Sequence, residues 1–235
     1  MKLSANLGLL WSELPLLERV YKAKEKNFDA VEFQFPYEVD ANELKKAIDK
    51  INLPIIGINT IKGDVSKGDN GLNAIPSKVQ EARVAIDQAI EYAKVIGSKN
   101  IHFMCGITEQ NHNSLKTLVE NLQYAVSQLN DTNIGLVIEP KNQKDFPGYF
   151  LTNVEQAKEI CQLVGNNNVK IMFDFYHVQI SQGNVLTRFK DNFNFIGHVQ
   201  MASVPERNEP IFGELNYSNT VSYTHLTLPT KPFVV

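Results

Sequence analysis

Two cysteines, a single tryptophan and no surplus of positive charge set the first limits on this chain of 235 residues. Cys105 and Cys161 are too few and too far apart for a disulfide framework or a cysteine-based zinc cluster. Cys161 falls on the apolar face of a predicted helix and reads as a small core residue. Lys and Arg number 23 against 26 Asp and Glu, a net charge of −3, so no basic stripe is offered to a nucleic-acid backbone. No apolar run approaches membrane-spanning length, and Asn6, Ser12 and Glu13 break up the only N-terminal stretch resembling a secretory signal. A cytoplasmic protein without nucleic-acid or membrane partners is expected. No Gly-x-Gly-x-x-Gly follows the first predicted strand, which argues against a dinucleotide fold.

What the sequence does contain is alternation. Apolar runs at Leu3–Leu7, Asp29–Phe35, Pro54–Asn59, Asn100–Met104, Ile134–Glu139, Val169–Asp174 and Phe195–Gln200 read as strands, and most are separated by segments of helical periodicity. Asp40 with Glu43, Ser77 with Gln80 and Thr152 with Glu155 are predicted to open helices, while Gly97 and Gly165 close them. Strands that are apolar almost throughout belong in a parallel sheet covered on both faces. Repeated βα units favour a (β/α)₈ TIM barrel, an α/β fold, over an open doubly wound sheet. With 43% hydrophobic residues, one barrel domain has enough material for a full core. Thr60–Ile75 is rich in Gly, Asp, Asn and Lys without periodicity; a lid and a plain surface loop both fit it.

The eighth strand is the exception. Val221–Thr230 resembles the in-frame translation of a transposon-end sequencing adapter. The expectation is therefore a barrel domain over 1–220 and a non-native tail over 221–235, with strand eight missing or replaced. Strands one and seven would then present open edges.

Three of the apolar runs close on Glu139, Asp174 and Gln200, each about one βα unit after the last. Successive βα units return the chain to the same end of a parallel sheet, so these side chains should meet at the strand C-termini, where barrel enzymes keep their sites. They offer three hard oxygen ligands for Mg²⁺ or Mn²⁺. Carboxylates at strand ends also cap helices or pair with lysines, and that reading stays open. His198 shares a strand face with Gln200. Glu32 reads as buried, and so paired or hydrogen-bonded. Trp11 and Phe35-Pro36-Tyr37 could form an apolar rim or simply pack.

Ile138-Glu139-Pro140-x-Asn142, Pro147-Gly148-Tyr149-Phe150, Phe173-Asp174-x-Tyr176-His177-x-Gln179 and Gly197-His198-Val199-Gln200 together resemble the hydroxypyruvate isomerase family of xylose-isomerase-like barrels. Phe28-Asp29-Ala30-Val31-Glu32-Phe33, Phe35-Pro36-Tyr37, Pro205-x-Arg207-x-Glu209-Pro210 and Gly213-Glu214-Leu215-Asn216-Tyr217 extend the match from Leu3 to about Tyr217. The resemblance implies interconversion of hydroxypyruvate with tartronate semialdehyde, or of related 2-oxo acids such as 2-oxotetronates. It implies Glu139 as catalytic acid/base and Glu139, Asp174 and Gln200 as ligands of a divalent metal. The family pattern also expects a second acid/base Glu on strand eight, which is missing here, so this chain is expected to be inactive.

The remaining candidates are substrate-binding. His177, three residues past Asp174, could bind a substrate hydroxyl or carbonyl, or simply bond to backbone. Arg207 is the first choice for a carboxylate clamp and Lys141 the second. His102 could face the barrel mouth or sit satisfied in the core. The partner is a small 2-oxo acid or hydroxyaldehyde, and a homo-oligomer stays open. A sugar epimerase or isomerase of the same fold is the alternative function, with an apurinic-site endonuclease behind it.

Overall fold

The chain runs β1 (Leu3–Asn6), α1 (Leu16–Glu25), β2 (Ala30–Glu32), α2 (Ala41–Ile51), β3 (Ile55–Asn59), α3 (Val79–Ile96), β4 (Asn100–His102), α4 (His112–Gln128), β5 (Gly135–Ile138), α5 (Val154–Val164), β6 (Val169–Asp174), α6 (Phe175–Ser181), α7 (Val185–Asp191), β7 (Ile196–Gln200) and β8 (Phe233–Val234). These elements come from a computed structural model that describes residues 2–220 and 233–234. Each strand pairs in parallel with the next in chain order, and β8 returns to β1, closing the barrel. Strands are two-sidedly apolar because one face fills the barrel and the other meets the helices. Ile55, Ile56 and Ile58 of β3 show this, all at most 2% exposed. On α3, Ala82, Ala85, Ala89 and Ala93 alternate with Ile86, Ile90 and Ile96 on the buried face, a small-residue stripe that lets the helix lie close to the sheet.

The strand-eight position is occupied. Phe233 and Val234 pair with Leu3 and Ser4 on one side and with Val199 and Gln200 on the other. The expectation of open edges on β1 and β7 is thus corrected: backbone donors and acceptors there find partners, though over two residues only. The rest of the expected tail, 221–232 and 235, lies outside the described residues.

Local chemistry explains most boundaries. Asp40 caps α2, its carboxylate accepting from the Asn42 and Glu43 N–H groups. At α5 the predicted cap shifts by one residue: Asn153 accepts from the Gln156 N–H at 2.8 Å, while Gln156 reaches back to accept from the Thr152 N–H. Ser77 caps nothing; Pro76–Lys78 form a 3₁₀ turn that leads directly into α3. Gly97 (φ 72°) and Gly165 (φ 70°) end their helices in the left-handed region, as expected.

Loop 60–75 is neither a lid nor a plain surface loop. The Thr60 N–H donates to the His102 carbonyl at 2.9 Å, the Gly71 N–H to the Lys62 carbonyl at 2.7 Å and the Ala74 N–H to the Cys105 carbonyl at 2.8 Å. Gly71 (φ +113°) lies so close to Met104 that an added Cβ would come within 2.4 Å of its carbonyl oxygen. The loop is stitched onto the end of β4 and forms a fixed wall of the barrel mouth.

Candidate active site

Glu139 follows β5 directly, Asp174 ends β6 and Gln200 ends β7, so the three stand at the C-terminal rim; Asp174 and Gln200 are register partners. Glu139 and Asp174 are each 3% exposed. Asp174 has two tasks. Its Oδ1 accepts from the Tyr176 N–H at 2.9 Å, capping α6, and its Oδ2 lies 3.3 Å from the Arg207 guanidinium. Capping places His177 in the first turn of α6. Its Nε2 is 3.8 Å from both Glu139 Oε1 and Asp174 Oδ2. Glu139, Asp174 and His177 thus offer donor atoms within 4.8 Å of one another, a group able to hold a metal ion.

Donors approach both nitrogens of the His177 ring. Asn142 Oδ1 accepts from the Asp145 N–H at 2.8 Å and Asn142 Nδ2 donates to Asp145 Oδ2 at 3.0 Å, which sets the amide orientation. The same Nδ2 faces His177 Nδ1 at 2.7 Å, while Arg207 Nη2 lies 3.1 Å from His177 Nε2. Burial holds the ring neutral, pushing its pKa down to about 3. Nε2 thus faces Glu139, Asp174 and Arg207 together. The alternative of a backbone-bonded histidine is only partly met, since the Asn142 N–H lies 3.4 Å from Nδ1.

Gln200 Nε2 donates to Glu32 Oε1 at 2.6 Å, which leaves its carbonyl oxygen for another partner. Glu32 is the hub of a buried cluster, also accepting from Asn6 Nδ2 at 2.7 Å and pairing with His198 Nε2 at 2.7 Å. The sequence required only that Glu32 have a partner; that it orients Gln200 was not legible.

Two cations neutralise the carboxylates. Lys141 Nζ lies 3.4 Å from Glu139 Oε2, over the rings of Phe146 (4.6 Å) and Tyr149 (5.2 Å). Arg207, held at φ 53°, stacks its guanidinium 4.7 Å from the Tyr176 ring centre, and Tyr176 in turn donates to Asp145. The carboxylates respond in opposite directions. Burial pushes Asp174 up to about 6, against the pull of Arg207. Burial acts on Glu139 in the same sense, but the charges of Lys141 and Arg207 hold it below the ordinary carboxylate value.

His102 is buried without being satisfied. Its Nδ1 faces Asn59 Oδ1 at 3.2 Å, while its Nε2 has no hydrogen-bond partner and lies 3.6 Å from Glu139 Oε2. With Asn59 presenting its carbonyl oxygen, the proton is on Nδ1 and Nε2 is an acceptor. Burial, then the charge of Lys141, drives its pKa well below the usual histidine value. His102 Nε2 thus stands beside Glu139 as an unpartnered acceptor. All of the sequence-predicted site residues line the mouth or touch those that do. Phe35 joins them, whereas Trp11 packs edge-on against Phe28 at 6.2 Å. Asn59, Lys62 and Asn70 also line the mouth and were not foreseen.

Residues 20–222 match the family model described as "Xylose isomerase-like TIM barrel". Over 219 residues the chain is 40% identical to 2-oxo-tetronate isomerase from Cupriavidus necator, covering 92% of this chain and 84% of the relative. Over 223 residues it is 40% identical to hydroxypyruvate isomerase from Escherichia coli, covering 92% and 85%. The chain belongs to the xylose isomerase-like TIM barrel family, within its hydroxypyruvate and 2-oxo-tetronate isomerase group. Among solved structures of the family, one titled AP endonuclease, family 2 from Brucella melitensis superposes with a TM-score of 0.94 at 35% identity, over 99% of this chain and 91% of that one. D-psicose 3-epimerase superposes with a TM-score of 0.83 at 18% identity, which shows the shared fold alone.

Proposed function

We propose that this site isomerises a small 2-hydroxyaldehyde or 2-oxo acid, hydroxypyruvate or a 2-oxotetronate, by proton transfer through an enediolate. The observation that carries the reading is the buried group of Glu139, Asp174 and His177, whose donor atoms lie within 4.8 Å of one another, with the unpartnered His102 Nε2 beside Glu139. In hydroxypyruvate, Glu139 takes a proton from C3 and the electron pair moves to the carbonyl oxygen at C2, giving the enediolate. Reprotonation at C2, with the C3 oxygen becoming the aldehyde, yields tartronate semialdehyde; no atom is gained or lost. Arg207, beside His177 Nε2, would donate to the developing oxyanion, His102 would accept from the substrate hydroxyl, and Lys141 keeps Glu139 ionised. Glu139, Asp174 and Gln200 would hold a divalent cation, Mg²⁺ or Mn²⁺, which as a Lewis acid supplies further stabilisation of negative charge on the substrate oxygens.

The return of the proton to C2 is the step this chain serves badly. After Thr220 the sequence contains no Asp or Glu, so strand eight brings no second acid/base to the rim. Net turnover is therefore expected to be low even where proton removal at C3 is retained. The endonuclease name of the Brucella protein does not carry over well. Among the described residues there is a single metal-capable group of three, and with a net charge of −3 the chain offers no counter-charge to a DNA backbone.

Exchange of the C3 protons of hydroxypyruvate with D₂O, followed by ¹H NMR in Mg²⁺ buffer, isolates the Glu139 step from turnover. Glu139→Gln should slow exchange by roughly 10²- to 10⁴-fold, because an amide still coordinates but accepts no proton. Exchange within about tenfold of the parent chain would reject Glu139 as the base.

A further inference from the structure

We propose that Lys62 is the anchor for the substrate carboxylate, and so the residue that selects acids over neutral ketoses; this rests on the isomerase reading above. Three cationic side chains line the mouth, Lys62, Lys141 and Arg207. Two of them are committed: Lys141 to Glu139 and Arg207 to Asp174. Among the described residues Lys62 has no carboxylate within ion-pair distance, and its ammonium rests over the Phe35 ring, 5.0 Å from the centroid. A cation in a partly desolvated wall with no anion beside it is a vacancy for one.

The wall around Lys62 is fitted for such a ligand. The Lys62 carbonyl accepts from the Gly71 N–H at 2.7 Å, and the next residue, Gly63, sits at φ +88°, where an added Cβ would come 2.5 Å from Leu72 and 2.6 Å from Asp69. The backbone bearing Lys62 is therefore set before any ligand arrives, which limits the ordering cost of binding. Two buried atoms in the same mouth, Asn70 Oδ1 and His102 Nε2, have no hydrogen-bond partner. They are acceptors waiting for a hydroxyl. A hydroxylated 2-oxo acid brings both the anion and the donor, whereas a neutral ketose brings only donors. Burial, then the charge of Lys141, also lowers the proton affinity of Lys62, and an anion between the two ammonium groups relieves that strain.

Dihydroxyacetone is hydroxypyruvate with its carboxylate replaced by a hydroxymethyl group, so the pair isolates the charge. Calorimetric titration of both into the protein in Mg²⁺ buffer should show the parent chain favouring hydroxypyruvate. Lys62→Gln should weaken hydroxypyruvate binding by roughly tenfold or more, with a smaller shift for dihydroxyacetone. Lys62→Arg should keep the acid preference, and Lys62→Met serves as a second neutral variant if Lys62→Gln melts early. Equal weakening of both ligands, or an acid preference retained in Lys62→Gln but lost in Arg207→Gln, would overturn Lys62 as the anchor and leave the isomerase reading standing. A parent chain with no acid preference would overturn the anchor and the acid substrate together.

Discussion

The β5–β6–β7 sector and the β7–β8–β1 seam are built to different standards. In the sector, β6 is six residues long, pairing three residues with β5 and four with β7. Behind it, Phe173 packs edge-on to Phe175 (5.0 Å) and Phe189 (5.3 Å), and Phe175 stacks on Phe189. Every strand of the sector closes on a side chain of the site. The seam is joined by two residue pairs on each side of β8 and contributes no carboxylate. A barrel needs only backbone hydrogen bonds to close, so almost any extended pair of residues can complete it. Chemistry needs particular side chains at particular strand ends, and the seam does not supply them.

The largest effect should follow from giving the seam what the sector has. Replacing residues 221–235 with an apolar strand ending in Glu should raise hydroxypyruvate isomerase turnover by roughly 10²- to 10⁴-fold, the usual worth of a positioned acid/base. The melting temperature should rise with it, as four or more paired residues replace two. Unchanged turnover and an unchanged melt would show that the tail is not the weak point.

The converse experiment weakens the sector. Phe173 is fully buried, and Phe173→Ala should cost about 3–5 kcal/mol in denaturant titration. Ser4→Ala at the seam should stay within about 0.5 kcal/mol or stabilise, since the Ser4 hydroxyl is buried with no partner. Similar costs at the two positions would erase the distinction between the regions.

The same contrast governs what could be foreseen in the sequence. Strand β6 matches its sequence-defined run residue for residue, and β5 and β7 differ by a residue at their ends, because a strand apolar on both faces and closed by a polar residue has a sharp signature. Glu139 and Asp174 meet, as βα spacing requires, and His177 joins them from the first turn of α6. The finer arrangement was hidden. How the His177 and His102 rings are held depends on Asn142 and Asn59, whose side chains meet these rings across 35 and 43 residues of chain. Lys62 and Asn70 sit in a loop without periodicity, and only backbone bonds to β4 place them at the mouth. Ser77 and Thr152 carry good capping-box spacing, yet a 3₁₀ turn and the neighbouring Asn153 took their roles. Closure by Phe233–Val234 was not legible, since nothing in those residues marks them for β1 and β7.

The smallest predicted effect separates the regions by pH. Asp174 titrates near 6 in the folded chain against an ordinary 3.8, because burial disfavours its charged form. A carboxyl whose folded pKa is raised favours folding while it is neutral. That contribution is complete below about pH 4 and is lost as pH rises through 6. In EDTA, the parent chain therefore carries an ionised, poorly solvated carboxylate at pH 8 that Asp174→Asn removes. The variant should melt at or below the parent temperature at about pH 4, where the neutral acid still caps α6, and above it at about pH 8, a swing of at most about 3 kcal/mol. Adding Mg²⁺ at pH 8 should shrink or reverse the gap, because a cation stabilises the carboxylate of the parent and finds a weaker ligand in the amide. Ser4→Ala, with no titrating group, should shift the melt equally at both pH values. A constant gap for Asp174→Asn across pH would mean that Arg207 alone already compensates the charge, and that burial of the pair holds no reserve for a metal to draw on.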